Sequence, residues 1–424
     1  MNKTSVFIRF GLMLMAVFSF QTAFSQANYI PGFVIKNDND TLVGLVDYRN
    51  WEKNPDQIRF KINREDDPVS FGPLDIIEFR VEDEIYVSGI VEVEVSPIVT
   101  DKLDNKPELK IVMDTTFLQA IIRGEKSLYH NKSADGKSNF YIQQDNGFEL
   151  LVYKKYLSDL NGTRIINENN RYRNQLVLYF RDCPTLRLKM EGASYNQKSL
   201  IKLFQNYYEC TPQEMDFQKE IDKINIEIGA LAGVSITTLN FLGPTLLYNY
   251  QVNTEFKASL NPTFGMFVDF ILPRNQGKWS IYNELQFTTY RFEGKFKDIE
   301  SEDIQTIITT ELSYPYLKLN NLIRFEFPKG SLYIFLSGGM SNGFSFGETN
   351  YRKEEIKFYT TQRIVEGEAI QYVRMHEQGY IVGTGVKHDK FSLELRYEAG
   401  NGMSELQDLA SKTRRYYLLF GYKF

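Results

Sequence analysis

Arg414-Arg415-Tyr416-Tyr417-Leu418-Leu419-Phe420-Gly421-Tyr422-Lys423-Phe424 is the stretch on which the reading of the whole chain turns. In an extended strand Tyr416, Leu418, Phe420, Tyr422 and Phe424 share one face, and Tyr417, Leu419, Gly421 and Lys423 share the other. The first face is wholly apolar and largely aromatic. Left unpaired, such a strand invites aggregation, so its expected place is the closing strand of a β-barrel.

The two hundred residues before it repeat the same alternation. Ile224, Ile226, Ile228, Ala230, Ala232 and Val234 face one way in a first strand, and Glu227 and Ser235 the other. A second strand, from Phe256 to Phe270, sets its apolar residues against a polar row that includes Asp269. Further strands are expected over Trp279 to Arg291, Ser313 to Phe327, Leu332 to Phe346, Tyr372 to Lys387 and Phe391 to Glu398. With the closing strand the count is eight, which predicts an eight-stranded antiparallel transmembrane β-barrel, apolar outside and polar inside. Outward Asn283 and Asn321 depart from the pattern. Eight strands enclose only enough room for side chains, so Glu227, Asp269, Glu284, Lys318, Arg324, Glu326, Glu394, Arg396 and Glu398 are expected to form a self-neutralising network in a non-conducting lumen. Short turns at Pro273 to Lys278, Pro328 to Ser331 and Lys387 to Lys390 read as periplasmic. The longer polar loops Asn240 to Glu255, Gly294 to Leu312, Gly347 to Ile370 and Gly400 to Ser411 read as extracellular.

Composition agrees with this class. Aromatic residues make up 14% of the 424, yet the mean hydropathy is only -0.35. Beyond the amino terminus no uncharged apolar run approaches the roughly 18 residues of a membrane helix. A net charge of -5 and a pI near 5.6, with no basic stripe, exclude nucleic acid as a partner. Residues 1–25 read as a signal peptide, with Lys3 and Arg9 ahead of an apolar segment and Ala23-Phe24-Ser25 at the cleavage site.

Residues 26–215 read as an α+β periplasmic domain, joined through a linker at 216–223 to the barrel at 224–424. Strands are expected over Phe33 to Lys36, Thr41 to Tyr48, Gln57 to Asn63, Leu74 to Val81, Ile85 to Val95, Leu109 to Met113 and Phe117 to Arg123. A hairpin over Asn139 to Tyr153 turns at Asn146-Gly147. Asn37 to Asp40 is a turn cluster; the glycine and glutamate of a calcium loop are missing, so no metal is expected. Two amphipathic helices follow, one through Tyr172, Leu176 and Tyr179 and one through Leu200, Leu203, Phe204 and Tyr207. Each closes on a cysteine followed by a proline. Cys183 and Cys210 are therefore a candidate disulfide, with two free thiols as the alternative, and the bond is expected to require that Leu186 to Met190 return as an extended segment.

No enzymatic machinery is legible. The three histidines, His130, His376 and His388, have no recognisable partner, His130 is expected in a loop, and metalloprotease, nucleophile-elbow, phosphate-loop and Cys-x-x-Cys motifs are absent. No catalytic residue and no cofactor is expected.

Three stretches carry resemblances. The final strand resembles the closing signal of bacterial outer-membrane barrels, which implies the barrel assembly machinery as a partner. The stretch Gly32 to Phe60, with Asp40-Thr41, Gly44-Leu45-Val46 and Asn54-Pro55, resembles an amino-terminal module of exported Bacteroidota proteins with no agreed activity. The strand order, with Tyr314-Pro315-Tyr316-Leu317, resembles the PorT-like outer-membrane barrel family of Bacteroidota. Together these imply an outer-membrane protein whose partners are membrane lipid and a periplasmic protein or the envelope. The expected function is anchored binding or scaffolding; the alternatives are an outer-leaflet lipid or peptide hydrolase using His376 and, from the family resemblance alone, a component of type IX secretion.

Overall fold

The computed structural model describes residues 27–424 except 134, 146, 161 and 162, so the expected signal peptide lies outside the described residues. The chain divides after Ile221 into two compact units.

The first unit is built on one antiparallel sheet. Its strands are β1 (Tyr29–Lys36), β2 (Thr41–Asp47), β3 (Ile58–Lys61), β4 (Val69–Phe71), β5 (Ile76–Val81), β6 (Glu84–Glu94), β7 (Ile111–Gly124), β8 (Leu128–Lys132), β9 (Ser138–Gln144) and β10 (Gly147–Leu150). They lie in the order β10-β9-β8-β7-β6-β5-β1-β2-β3-β4. Where two strands were expected, over Leu109 to Met113 and Phe117 to Arg123, β7 runs unbroken, because Thr115 and Thr116 between them are as content in a strand as the apolar residues on either side. The hairpin of β11 (Lys154–Leu160) and β12 (Thr163–Asn169) stands apart as a two-stranded sheet. It was not read from sequence, since its apolar and polar residues do not alternate.

Helices Tyr172–Tyr179 and Gln197–Cys210 pack on this sheet. Leu176, Phe180, Leu200, Phe204 and Tyr207 meet Ile121, Ile122, Leu128 and Phe140 in one apolar core. Asn196 caps the second helix, its side-chain oxygen accepting the Ser199 N–H at 2.9 Å. Cys183 and Cys210 are disulfide-bonded, with their Cα atoms 6.2 Å apart. The return between the helices is not extended, however: Pro184–Leu186 is a 3-10 turn and Arg187–Glu191 an α-helix. Leu186 and Met190 are buried and Leu188 is 80% exposed, so their spacing is one helical turn and not a strand alternation. The expected linker also needs correction. Met215–Gln218 forms β13 and pairs with β7, Met215 packing on the helical core and Phe217 on the neighbouring apolar cluster, while Lys219 is buried against Asp83 and Glu84.

In the second unit, strands β14 (Asn225–Leu242), β15 (Ser259–Ile271), β16 (Trp279–Ile299), β17 (Ile304–Lys329), β18 (Leu332–Ser345), β21 (His376–His388), β22 (Phe391–Gly400) and β23 (Ala410–Lys423) each pair antiparallel with two others. The cycle closes where β23 pairs β14 over Lys423↔Gly229 to Ala410↔Leu242. The ring is uneven. β16 and β17 overrun it, and β19 (Thr349–Phe358) and β20 (Thr361–Gly367) add to the overrun of β17, so two of the expected loops are sheet. Ile304, Thr306, Ile307, Ile308, Thr309 and Thr310 explain this: β-branched residues favour strands even where no face is apolar throughout. Phe256, expected in β15, instead lies ahead of it and packs at the ring's mouth beside Phe241 and Phe292.

Polarity around the ring differs from that of a soluble core, with charges inside beside a buried cluster of Leu231, Phe267, Leu322, Ile381 and Leu419. Outward Ile228, Ile236, Leu260, Met266, Leu285, Ile323, Leu336, Val382, Leu395 and Leu418 are all more than 40% exposed, whereas the inward charges are buried, or half-buried at Glu227, Lys387 and Lys423 toward the turn end. Outward Asn283 and Asn321 face each other across β16 and β17, and Asn321 Nδ2 donates to Asn283 Oδ1 at 2.7 Å. Replacing Asn321 alone by leucine is expected to cost about 1 kcal/mol, because Asn283 loses its partner on an apolar surface. Replacing both by leucine should restore or exceed the original stability in chemical unfolding.

Candidate functional site

The ring's interior holds three linked groups of charges. Nearest the loops, Arg415 gives Nη1 to Glu398 at 2.9 Å, Nη2 to Glu377 at 3.3 Å and Nε to Thr237 Oγ1 at 3.1 Å. Lys318 bridges the same two carboxylates, and the Tyr417 hydroxyl donates to Glu398 at 2.6 Å. In the middle, Arg396 grips Glu284 with both terminal nitrogens at 2.7 and 2.9 Å and donates Nε to Glu394 at 3.0 Å. Arg324 reaches Glu394 at 3.1 Å and lies between the rings of Tyr282 and Phe335, 3.8 and 4.1 Å from their centroids. Asp269 is the looser member, 3.9 Å from Arg324. At the turn end, Lys387 pairs with Glu227 at 2.9 Å and Glu326 at 3.4 Å, and Lys423 pairs with Glu227 at 2.8 Å.

All nine residues named from the sequence thus lie in the interior. The partners that complete the pairs, Glu377, Arg415, Lys387, Tyr417 and Lys423, were not named with them. Arg415 carried a usable signal, since strand parity puts it on the face of Tyr417 and Lys423. Glu377 carried little, because Gly379, Gly383 and Gly385 blur the alternation just after it. The five closing-strand residues Tyr416, Leu418, Phe420, Tyr422 and Phe424 are 37–63% exposed on the outside.

Above the charges an apolar plug fills the mouth. Tyr290, Phe292, Leu312, Tyr314, Tyr316, Met403 and Leu409 pack around Ala369 and Ile370. The Asn350 amide holds that loop in place: its oxygen accepts the N–H groups of Ala369 and Ile370 at 3.1 and 3.0 Å, and its nitrogen donates to the Ile370 carbonyl at 2.7 Å. Tyr314 and Tyr316, part of the Tyr-Pro-Tyr-Leu motif, lie well inside β17, not at its start, and point inward.

The histidines are dispersed. His376 lies on the ring's outside with its ring stacked on Phe344 at 4.7 Å, away from the interior acids. His130 lies in β8, not in a loop; it meets Ser138 Oγ at 2.9 Å, its ring stacks on Phe140 at 4.8 Å, and the residue is 8% exposed. His388 ends β21 at a turn. Among the described residues no group of three acids, histidines or cysteines is arranged to hold a metal ion. The Asp38 and Asp40 carboxylates both meet Lys36.

The first unit offers a cleft of about 430 Å³ lined by Glu92, Gln144, Phe148, Glu149, Arg171 and Gln175. Its wall is rigid, because Gln175 donates to Glu149 at 2.6 Å and to the Leu150 carbonyl at 2.9 Å. Nearby charge is paired more tightly. Hydrogen bonds from Lys110, then Lys154, hold the Asp104 carboxyl down at about 2. Burial pushes Glu94 up, but Lys137 and Ser96 outweigh it and leave its pKa lowered. Carboxyls lowered on folding stabilise at pH values above their unfolded range and lose that stabilisation as pH falls through the folded values. The first unit is therefore expected to hold its stability down to about pH 4 and to lose it progressively toward pH 2. Asp104→Asn should flatten that limb of an acid titration followed by circular dichroism.

No protein-family model matches the chain, and no curated protein does. Among solved structures it is similar to the attachment invasion locus protein Ail of Yersinia pestis, at 15% identity and a TM-score of 0.24 over 47% of this chain and 99% of that one. It is also similar to OprG of Pseudomonas aeruginosa, at 13% identity and a TM-score of 0.29 over 48% and 97%. The outer-membrane protease OmpT of Escherichia coli matches at 7% identity and a TM-score of 0.17 over 48% and 99%.

Proposed function

We propose that the second unit is an eight-stranded outer-membrane β-barrel serving as an anchor and not as a pore, and that the first unit is a periplasmic module that binds a protein or envelope partner. The polarity of the ring carries this reading: paired charges inside and a largely apolar exterior, interrupted at Asn283 and Asn321, have a physical rationale only with lipid around the ring. The apolar plug around Ala369 and Ile370 packs above the bridged charges, which supports a non-conducting role. β14 begins and β23 ends on the side of the short turns, so the first unit belongs on that side, the periplasmic one in such barrels. His376 stacks on Phe344 on the ring's outside, so the interior acids cannot orient it as a base, and the non-enzymatic reading is preferred on that ground. The PorT-like resemblance, with its Bacteroidota lineage, fits this reading and rests on the sequence alone.

The cleft beside Arg171 is the natural contact for a partner, since it combines an apolar wall with charges of both signs. A photo-reactive residue at Gln144 should cross-link one discrete periplasmic partner or the cell-wall polymer in intact cells. Cross-links spread over many proteins, or none, would count against a binding role. In planar bilayers the purified protein should give no channel steps; steady conductance would overturn the anchor reading.

A further inference from the structure

The outward row of β23 changes character abruptly. From the turn end it reads Phe424, Tyr422, Phe420, Leu418 and Tyr416, then Arg414 and Lys412, all exposed on the ring's outside. The eight steps of strand from Phe424 to Tyr416 rise about 27 Å along the chain, or about 20 Å across a membrane at barrel tilt, so Arg414 and Lys412 stand at or just beyond the edge of a ~25 Å apolar band. They stand at headgroup height.

Neither cation is spent on a protein carboxylate among the described residues. The inward neighbour Arg415 takes Glu377 and Glu398, whereas Arg414 and Lys412 make no ion pair. Their cross-strand neighbours are small or uncharged: Arg414 lies opposite Thr238 on β14 and Ala399 on β22, and Lys412 opposite Asn240. The outward surface there presents two cations two residues apart, flanked by an amide and lacking an opposing acid.

We propose that Lys412 and Arg414, with Asn240 beside them, form a binding site for the phosphate of an anionic lipid in the leaflet on the loop side. Arg414 supplies a fork matched to phosphate oxygens and Lys412 a mobile point charge. The acyl chains of the same lipid lie along Tyr416, Leu418 and Tyr397 below. A lipid is the fitting source because the site is continuous with the apolar belt, whereas a soluble phosphate would gain nothing from those residues. The proposal rests on the membrane reading given above.

Native mass spectrometry of the full mature chain, released from vesicles of one part phosphatidylglycerol to four parts phosphatidylcholine, tests it. At roughly fivefold per cation near an anionic surface, Lys412→Gln/Arg414→Gln is expected to weaken the tightest phosphatidylglycerol by about twenty-five-fold while leaving phosphatidylcholine unchanged. Added inorganic phosphate should not displace the lipid. Equal retention by the double variant, or displacement by free phosphate, overturns the site while leaving the barrel intact. Failure of the wild-type chain to integrate into vesicles, scored by flotation, overturns the membrane reading and this site with it. Lys295→Gln/Lys297→Gln, on the β16 overrun, serves as the charge control and should retain lipid as wild type does.

Discussion

Arg396→Leu is expected to destabilise the second unit by about 3–5 kcal/mol, the range for leaving a buried charge without its partner. The cause is specific. Arg396 is 3% exposed and makes three short bonds, two to Glu284 and one to Glu394, so its removal strands at least one buried carboxylate. Glu394 keeps Arg324 and Ser337, whereas Glu284 keeps only Asn320 as a donor. Glu284 is therefore the group that pays, and Glu284→Leu in the same chain should recover most of the loss, since an apolar pair of similar volume often replaces a buried ion pair at little cost. Urea unfolding in detergent micelles reads both. A single variant within 1 kcal/mol of wild type would mean that the interior is wet enough to solvate Glu284.

Removing the disulfide with Cys183→Ala/Cys210→Ala is expected to cost the first unit about 3.5 kcal/mol, from the chain entropy of a loop closed across 27 positions. The bond ties the open end of a helical return: the 3-10 turn and short helix from Pro184 lead away from Cys183, and Gln197–Cys210 leads back to it. Thr185 Oγ1 sits 3.3 and 3.4 Å from the two sulfurs, so the end of the return is packed around the bond. Without the link, Leu186 and Met190 have only their burial against the helices to hold them. Thermal unfolding of the first unit should fall by the same amount in reductant as in the double variant. The second unit holds no cysteine and should not respond.

The parts of the structure that were legible share one physical cause. Where a strand has one face against a packed interior and the other against a different medium, its residues must alternate, and Leu393, Glu394, Leu395 and Arg396 or Leu317, Lys318, Leu319 and Asn320 show it residue by residue. Where neither face is uniform, the pattern is silent. The overrun of β16 and β17 and the hairpin of β11 and β12 were missed for that reason. Leu186, Leu188 and Met190 show the opposite failure, because three apolar residues at even spacing fit a strand as well as one face of a short helix; only the exposure of Leu188 decides. The interior charges were found singly but not as pairs, since pairing joins positions as distant as Glu284 and Arg396, and register is not written in either strand. The candidate cleft left no trace at all, being lined from β6, the β9–β10 hairpin and the start of a helix.

The two tryptophans give the most direct test of the central claim, that the ring's exterior faces lipid and the first unit does not. Trp279 is 42% exposed at the outward edge of β16 beside Phe325, whereas Trp51 packs among Tyr48, Phe79 and Tyr86 in the first unit. With Trp51→Phe and Trp279→Phe variants reconstituted into vesicles of brominated phosphatidylcholine, fluorescence from Trp279 should be strongly quenched and that from Trp51 should not. Equal emission from Trp279 in brominated and ordinary lipid would contradict the account.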